Sequence, residues 1–107
     1  LFEKVKTSVE HAINFGIYSE QTLLVGFGRM ITDGAVFGYL ADVFIAKEHQ
    51  GKGLSKKMVE VFAQLADTLG LRRTMLATRD AHGLYAKYGF EQLAEPDTIM
   101  NRKGVSY

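Results

Sequence analysis

Residues 49–58 read His-Gln-Gly-Lys-Gly-Leu-Ser-Lys-Lys-Met (HQGKGLSKKM), with two glycines one residue apart among lysines. Upstream, Ala35 to Ile45 (AVFGYLADVFI) is apolar on both faces and reads as a central strand. Downstream, Leu54, Met58, Val61/Phe62, Leu65 and Leu69 recur at helical spacing, and Gly70 follows where a left-handed cap is wanted. The stretch is therefore a junction between a strand and a long amphipathic helix. The first N–H groups of such a helix lack intrahelical partners, and its dipole places partial positive charge there. Glycine lets the backbone approach a ligand with no side chain in the way. An end of this kind suits a phosphate, and Lys52, Lys56 and Lys57 add charge to it. On this loop alone, a simple turn with solvated lysines explains the glycines equally well. Two common phosphate motifs are excluded. The spacing is not G-x-x-x-x-G-K-S/T, and a dinucleotide fingerprint fails because position 56 is lysine. The pair Gly26 and Gly28 fails the same test, because position 31 is isoleucine.

Working outward, Leu1, Phe2, Val5, Val9 and Ile13 fall at helix spacings, with Glu3, Lys4, Lys6 and Glu10 on the other face. Phe15 to Tyr18 reads as a short strand and Thr22 to Ile31 (TLLVGFGRMI) as a longer one. Thr32-Asp33-Gly34 is a turn signal, with Asp33 as turn former. Beyond the long helix, Thr74 to Thr78 (TMLAT) reads as a short buried strand. Asp80 is placed to cap a short helix, Ala81 to Tyr88, that stops at Gly89. Phe90 to Leu93 reads as a further strand and Thr98 to Met100 as a last one. The order is an antiparallel meander followed by a βαβ crossover. It predicts an α/β (α+β) fold with a mixed, mostly antiparallel central sheet and flanking helices. Residues 1–107 form one domain on this reading. The chain starts at Leu1, inside a helical pattern, so an incomplete N-terminus is expected.

Composition narrows the function. A chain of 107 residues with 47% apolar residues can bury a core. A net charge of +1 argues against nucleic-acid binding, which calls for a strongly basic domain. There are no cysteines, which removes disulfides, thiolate metal sites and a cysteine nucleophile. This fits a reducing compartment, and the cytoplasm is the expected location. His11, His49 and His82 are too scattered for a zinc site, so no metal is expected. No apolar run of membrane-spanning length and no signal peptide is visible, so no membrane association is expected.

Gln50-Gly51-Lys52-Gly53-Leu54-Ser55 resembles Q/R-x-x-G-x-G/A, the acyl-CoA pyrophosphate loop of the GNAT superfamily of N-acetyltransferases, with Ser55 departing at the last position. Downstream, Leu84-Tyr85-Ala86-Lys87-Tyr88-Gly89-Phe90 resembles the family's L-Y-x-x-x-G-F signature. The wider stretch Thr78 to Phe90 (TRDAHGLYAKYGF), with FGIY and LADVF before it, is similar to a bacterial subgroup of small, mostly uncharacterised members. Two departures stand out. Thr78 occupies a position where many members carry asparagine, and the usual first strand is lacking.

The resemblance implies an acyl-CoA N-acyltransferase-like fold and direct acetyl transfer from acetyl-CoA to an amine, without an acyl-enzyme. The acceptor would be a small-molecule or peptide amine, and dimers are common in the family. It implies that backbone groups of Val43, Phe44 and Ile45 hold the acetyl-pantetheine arm. The N–H groups of Gln50, Gly51, Lys52, Gly53, Leu54 and Ser55 would hold the pyrophosphate. Tyr85 is the implied acid, against the alternative of core packing beside Tyr88 and Phe90. Asp42 is the candidate base. On strand alternation it shares a face with Leu40 and Phe44, although a bulge of the kind the family carries there would change its facing. A buried structural carboxylate is the competing reading of Asp42. His49 and His82 are lesser candidates, read first as surface or capping residues. A CoA-binding sensor without catalysis is the alternative function.

Overall fold

The chain reverses at Asp33. Its Oδ1 accepts the backbone N–H groups of Ala35, Val36 and Phe37 at 2.9, 2.9 and 3.2 Å. Gly34 takes φ +76°, and the Thr32 hydroxyl donates to the Phe37 carbonyl at 2.6 Å. This turn joins strand β2 (Leu24–Thr32) to β3 (Phe37–Ile45), which pair antiparallel from Thr32↔Gly38 to Gly26↔Ile45. Strand β1 (Ile13–Tyr18) adds antiparallel to β2. After helix α2 (Leu54–Leu69) the chain returns as β4 (Arg73–Met75), parallel to β3. The computed structural model, which describes residues 1–106, thus has a four-stranded mixed sheet in the order β1-β2-β3-β4. Helix α1 (Phe2–Glu10) precedes the sheet and the short helix α3 (His82–Ala86) follows it.

Helix α2 closes the core. Met58, Val59 and Phe62 are its buried residues, and Met58 and Phe62 hold the spacing read from the sequence. Met58 and Phe62 meet Met30 and Leu40 from the sheet, and Phe62 packs edge-on against Phe15 with ring centroids 5.0 Å apart. Gly28 permits that approach, because a Cβ there would lie 2.8 Å from the Phe62 ring. The helix ends at Gly70, in the left-handed region at φ +70°, as the sequence predicts.

Strand β3 contains a bulge. Phe27 pairs with Phe44 and Arg29 with Ala41, so β3 spends one more residue than β2 across this interval. Leu40 and Ile45 are buried and Val43 packs against the core. The inward alternation therefore jumps from Leu40 to Val43. Asp42 takes φ +56°, an uncommon conformation for a residue with a Cβ that costs about 1–2 kcal/mol.

The structure departs from the sequence reading in several places. Strand β4 stops at Met75 instead of Thr78, and α3 spans His82–Ala86 instead of Ala81 to Tyr88. Ile13 opens β1 instead of ending α1. Asp80 does not cap α3, whose start carries no side-chain cap; the Thr78 hydroxyl accepts the N–H of Ala81, the residue before the helix, at 3.1 Å. Phe90 to Leu93 is not a strand: the Phe90 N–H bonds back to the Tyr85 carbonyl and no ladder partner flanks the segment among the described residues. Thr98 to Met100 is also not a strand, since Pro96–Thr98 forms a single 3-10 turn. Strand propensity without a neighbouring backbone does not make a strand.

The bonds that Val36, Ala35 and Phe37 donate to Asp33 hold its carboxyl below the usual carboxylate range. A folded-state value below the unfolded one contributes stability above the unfolded value, about 3.9, and loses it as pH falls. Asp33→Ala is therefore expected to lower the melting temperature at pH 7, with the gap to wild type narrowing below about pH 4. Thermal melts of both proteins from pH 7 to pH 3 test this. A gap independent of pH would contradict the role given to the carboxylate.

Candidate active site

Strands β3 and β4 share only the pairs Phe37↔Arg73, Gly38↔Thr74 and Tyr39↔Met75. Past Tyr39, β3 runs on to Ile45 while the chain beyond Met75 departs toward α3. The separation opens a cleft of about 470 Å³. One wall is Leu40 to Val43 and the other is Leu76 to Thr78, with Leu84 and Tyr85 from α3. On this side, the edge of β3 carries backbone groups with no strand partner.

A second hollow of about 280 Å³ adjoins it, and Ser55 and Leu84 line both. It is bounded by Ile45, the loop before α2, and the side chains of Lys56 and Lys87. Gly51 and Gly53 both lie in the left-handed region, at φ +80° and +79°, and a Cβ at either would meet nothing within 4 Å. The Gln50 amide donates to the Ile45 carbonyl at 3.1 Å and ties the loop to the end of β3. The first turn of α2 closes with Lys57 N–H on the Gly53 carbonyl at 3.2 Å. Among the described residues, no acceptor meets the N–H groups of Gly51 to Lys56. Consecutive free donors at a helix start form a concave anion site.

The residues singled out in the sequence fall on these two hollows in part. Val43 lines the cleft, and Ile45, Gln50, Gly51, Gly53, Leu54 and Ser55 line the loop hollow. Phe44 turns its ring to the opposite face, where it is 53% exposed and sits 6.1 Å from the Phe27 ring, so only its backbone can serve the cleft. The Lys52 ammonium lies 3.4 Å from His49 Nδ1 and is not in the hollow. Lys87 lines the hollow instead and was not singled out. Its place one helical turn after Leu84 is the signal that could have found it.

Tyr85 is half-buried, packs on the core and meets Phe90 edge-on at 5.7 Å. Burial raises its phenol above the ordinary value, so it stays protonated at neutral pH. Asp42 lines the cleft, but not among apolar neighbours. The bulge takes it off the face of Leu40. Its side chain is 58% exposed, and its Oδ2 accepts from Arg29 Nε at 2.5 Å. That corrects both the shared-face expectation and the buried-carboxylate alternative. Thr78 lines the cleft as well. His49 borders the loop hollow, and His82 is exposed at the start of α3. Among the described residues, no group of three or more His, Asp and Glu side chains could hold a metal, and no helix is long and apolar enough to cross a membrane.

Known proteins share this fold. Residues 11–92 match the profile of the acetyltransferase (GNAT) domain. The chain is 45% identical over 84 residues to a provisionally named acetyltransferase of Gibberella zeae, covering 77% of this chain and 46% of that protein. It is 29% identical over 85 residues to the uncharacterised N-acetyltransferase YobR of Bacillus subtilis, covering 76% and 34%. The chain thus spans less than half the length of these curated relatives. A crystal structure from Xanthomonas campestris pv. campestris, assigned to the GNAT family, superposes with a TM-score of 0.88 at 41% identity, covering 97% of this chain and 72% of that one. With the profile spanning most of its length and the parted strands and glycine loop in place, the chain belongs to the GNAT family of acetyltransferases.

Proposed function

We propose that this protein transfers an acetyl group from acetyl-CoA directly to an amine acceptor within the single domain described. The observation that carries the reading is the junction of the two hollows. A cleft bordered by an unpaired strand edge opens onto a loop whose N–H groups have no protein partner. A pantetheine arm presents amides, which the edge of Val43 to Ile45, unpaired by any strand among the described residues and with the Ile45 carbonyl already accepting from Gln50, can pair like an added strand. A pyrophosphate presents oxygens, which suit the donors of Gly51 to Ser55, with Lys56 and Lys87 supplying charge. The open space over Gly51 and Gly53 leaves room for that group.

Acetyl-CoA supplies an activated thioester carbonyl, so positioning and proton transfer are left to the chain. Asp42 can take the proton that the attacking amine must lose. Tyr85, held neutral by burial, can donate its proton to the departing thiolate. Asp42 releases its proton to solvent and the phenol is reprotonated from solvent, which completes the cycle, and no covalent link to the protein forms. A panel of spermidine, glucosamine, L-lysine and a free peptide N-terminus, assayed with acetyl-CoA for thiol release, tests the reading. Release above the amine-free rate with at least one member supports it, and none with any would count against it.

Two substitutions follow from the geometry. Gly53→Val forces a β-branched residue into the left-handed region at a cost of about 1–2 kcal/mol and places a side chain over the free N–H groups. The domain should remain folded while CoA affinity, measured by calorimetry, falls roughly tenfold or more. Unchanged affinity would make the loop structural only. Tyr85→Phe keeps the ring against Phe90 and removes the donor. A fall in kcat of about 10²–10⁴-fold is expected, with CoA affinity and melting temperature little changed. Tyr88→Phe serves as the silent control. Full turnover by Tyr85→Phe, with chemistry rate-limiting, would remove the phenol from the mechanism.

A further inference from the structure

Arg29 lies on β2, one strand away from the cleft, and belongs to neither of the sequence motifs. Its side chain is only 15% exposed. Nε donates to Asp42 Oδ2, and Nη1 donates to the Ser8 carbonyl at 3.1 Å. One guanidinium therefore joins three elements: the last turn of α1, the centre of β2 and the bulge of β3. A shielded cation needs its carboxylate, and a planar guanidinium held at one nitrogen by Asp42 and at another by Ser8 is fixed in orientation.

Asp42 gains from this contact. Its backbone is left-handed at φ +56°, a state that a residue with a Cβ leaves readily unless something holds it. Its register with β2 is irregular, so the sheet ladder does not hold it. The bond from Arg29 uses Oδ2 and leaves Oδ1 unclaimed among the described residues, in a side chain that is 58% exposed and lines the cleft.

We propose that Arg29 is a positioning residue for the acceptor. Through Oδ2 of Asp42 it anchors the bulge and presents the free carboxylate oxygen to the cleft, where that oxygen receives the ammonium group of the incoming amine. Ser8 makes α1 part of the same support, so the seat of α1 bears on the acceptor end and not on the loop that faces phosphate. The inference rests on the acetyl-transfer reading above.

A double-mutant cycle on the full chain tests it, with Arg29→Lys, Arg29→Met, Asp42→Asn and the combination of Arg29→Lys with Asp42→Asn. The acceptor is spermidine, and CoA affinity is followed by calorimetry beside amine kcat and KM. Asp42→Asn and Arg29→Met should each lower amine kcat/KM by about 10²-fold, the scale of a misplaced reacting group, with CoA affinity unchanged. Arg29→Lys should recover part of the loss seen with methionine. The combined variant should be no worse than Asp42→Asn alone, because Arg29 acts only through that carboxylate. If Arg29→Met does not fold, the lysine cycle still decides. Losses that multiply in the combined variant, or a loss carried by CoA affinity, would overturn the role of Arg29 while leaving acetyl transfer intact. Wild-type protein that binds CoA yet releases no thiol with spermidine or any other amine of the panel would overturn the transfer reading and this proposal with it.

Discussion

The parting of β3 from β4 after three residue pairs is the constraint on which the site depends. Parallel neighbours that stayed paired to Ile45 would satisfy every backbone group between them and leave nothing to hold a ligand. Two features of the chain keep them apart. Strand β4 is only Arg73–Met75, and the residues after it lead toward α3, with the Thr78 hydroxyl accepting the N–H of Ala81 just before that helix. On the other side, the bulge at Asp42 shifts the register of β3 against β2 just where the cleft begins.

The core bears the cost of this opening. Helix α2 lies across the sheet through Met58, Val59 and Phe62, and the missing side chain of Gly28 lets it sit close. That same helix delivers its N-terminus to the open end of the cleft. The packed face and the unpartnered N–H groups thus belong to one element, and the loop before it turns sharply at Gly51 and Gly53. Gln50 binds the Ile45 carbonyl through its side chain and the Lys47 carbonyl through its backbone N–H, so it ties the loop to the end of β3.

Local chemistry was the legible part of the sequence. The Asp33 turn, the periodicity of α2, its Gly70 end and the strand-to-helix junction all depend on residues within a few positions of one another. Facing and partnership were less legible. Asp42 follows strand alternation only if β3 is regular, and one inserted residue reverses that. Arg29 is thirteen residues from Asp42 in sequence, and no spacing rule links them. Phe90 to Leu93 has strand-forming residues but no neighbour to pair with, a property of the fold and not of the segment. Lys52 and Lys87 exchange roles for a similar reason: the charge near the loop was evident, but which lysine enters the hollow depends on how α3 docks beside α2.

The central claim is that one continuous groove, from the β3 edge to the start of α2, takes a single extended ligand. A titration of the protein with CoA, followed by backbone amide NMR, addresses it directly. The account predicts that the amides of Val43 to Ile45 and those of Gly51 to Lys56 shift together along one binding curve. Shifts confined to the loop, or absent from both segments at millimolar CoA, would contradict it.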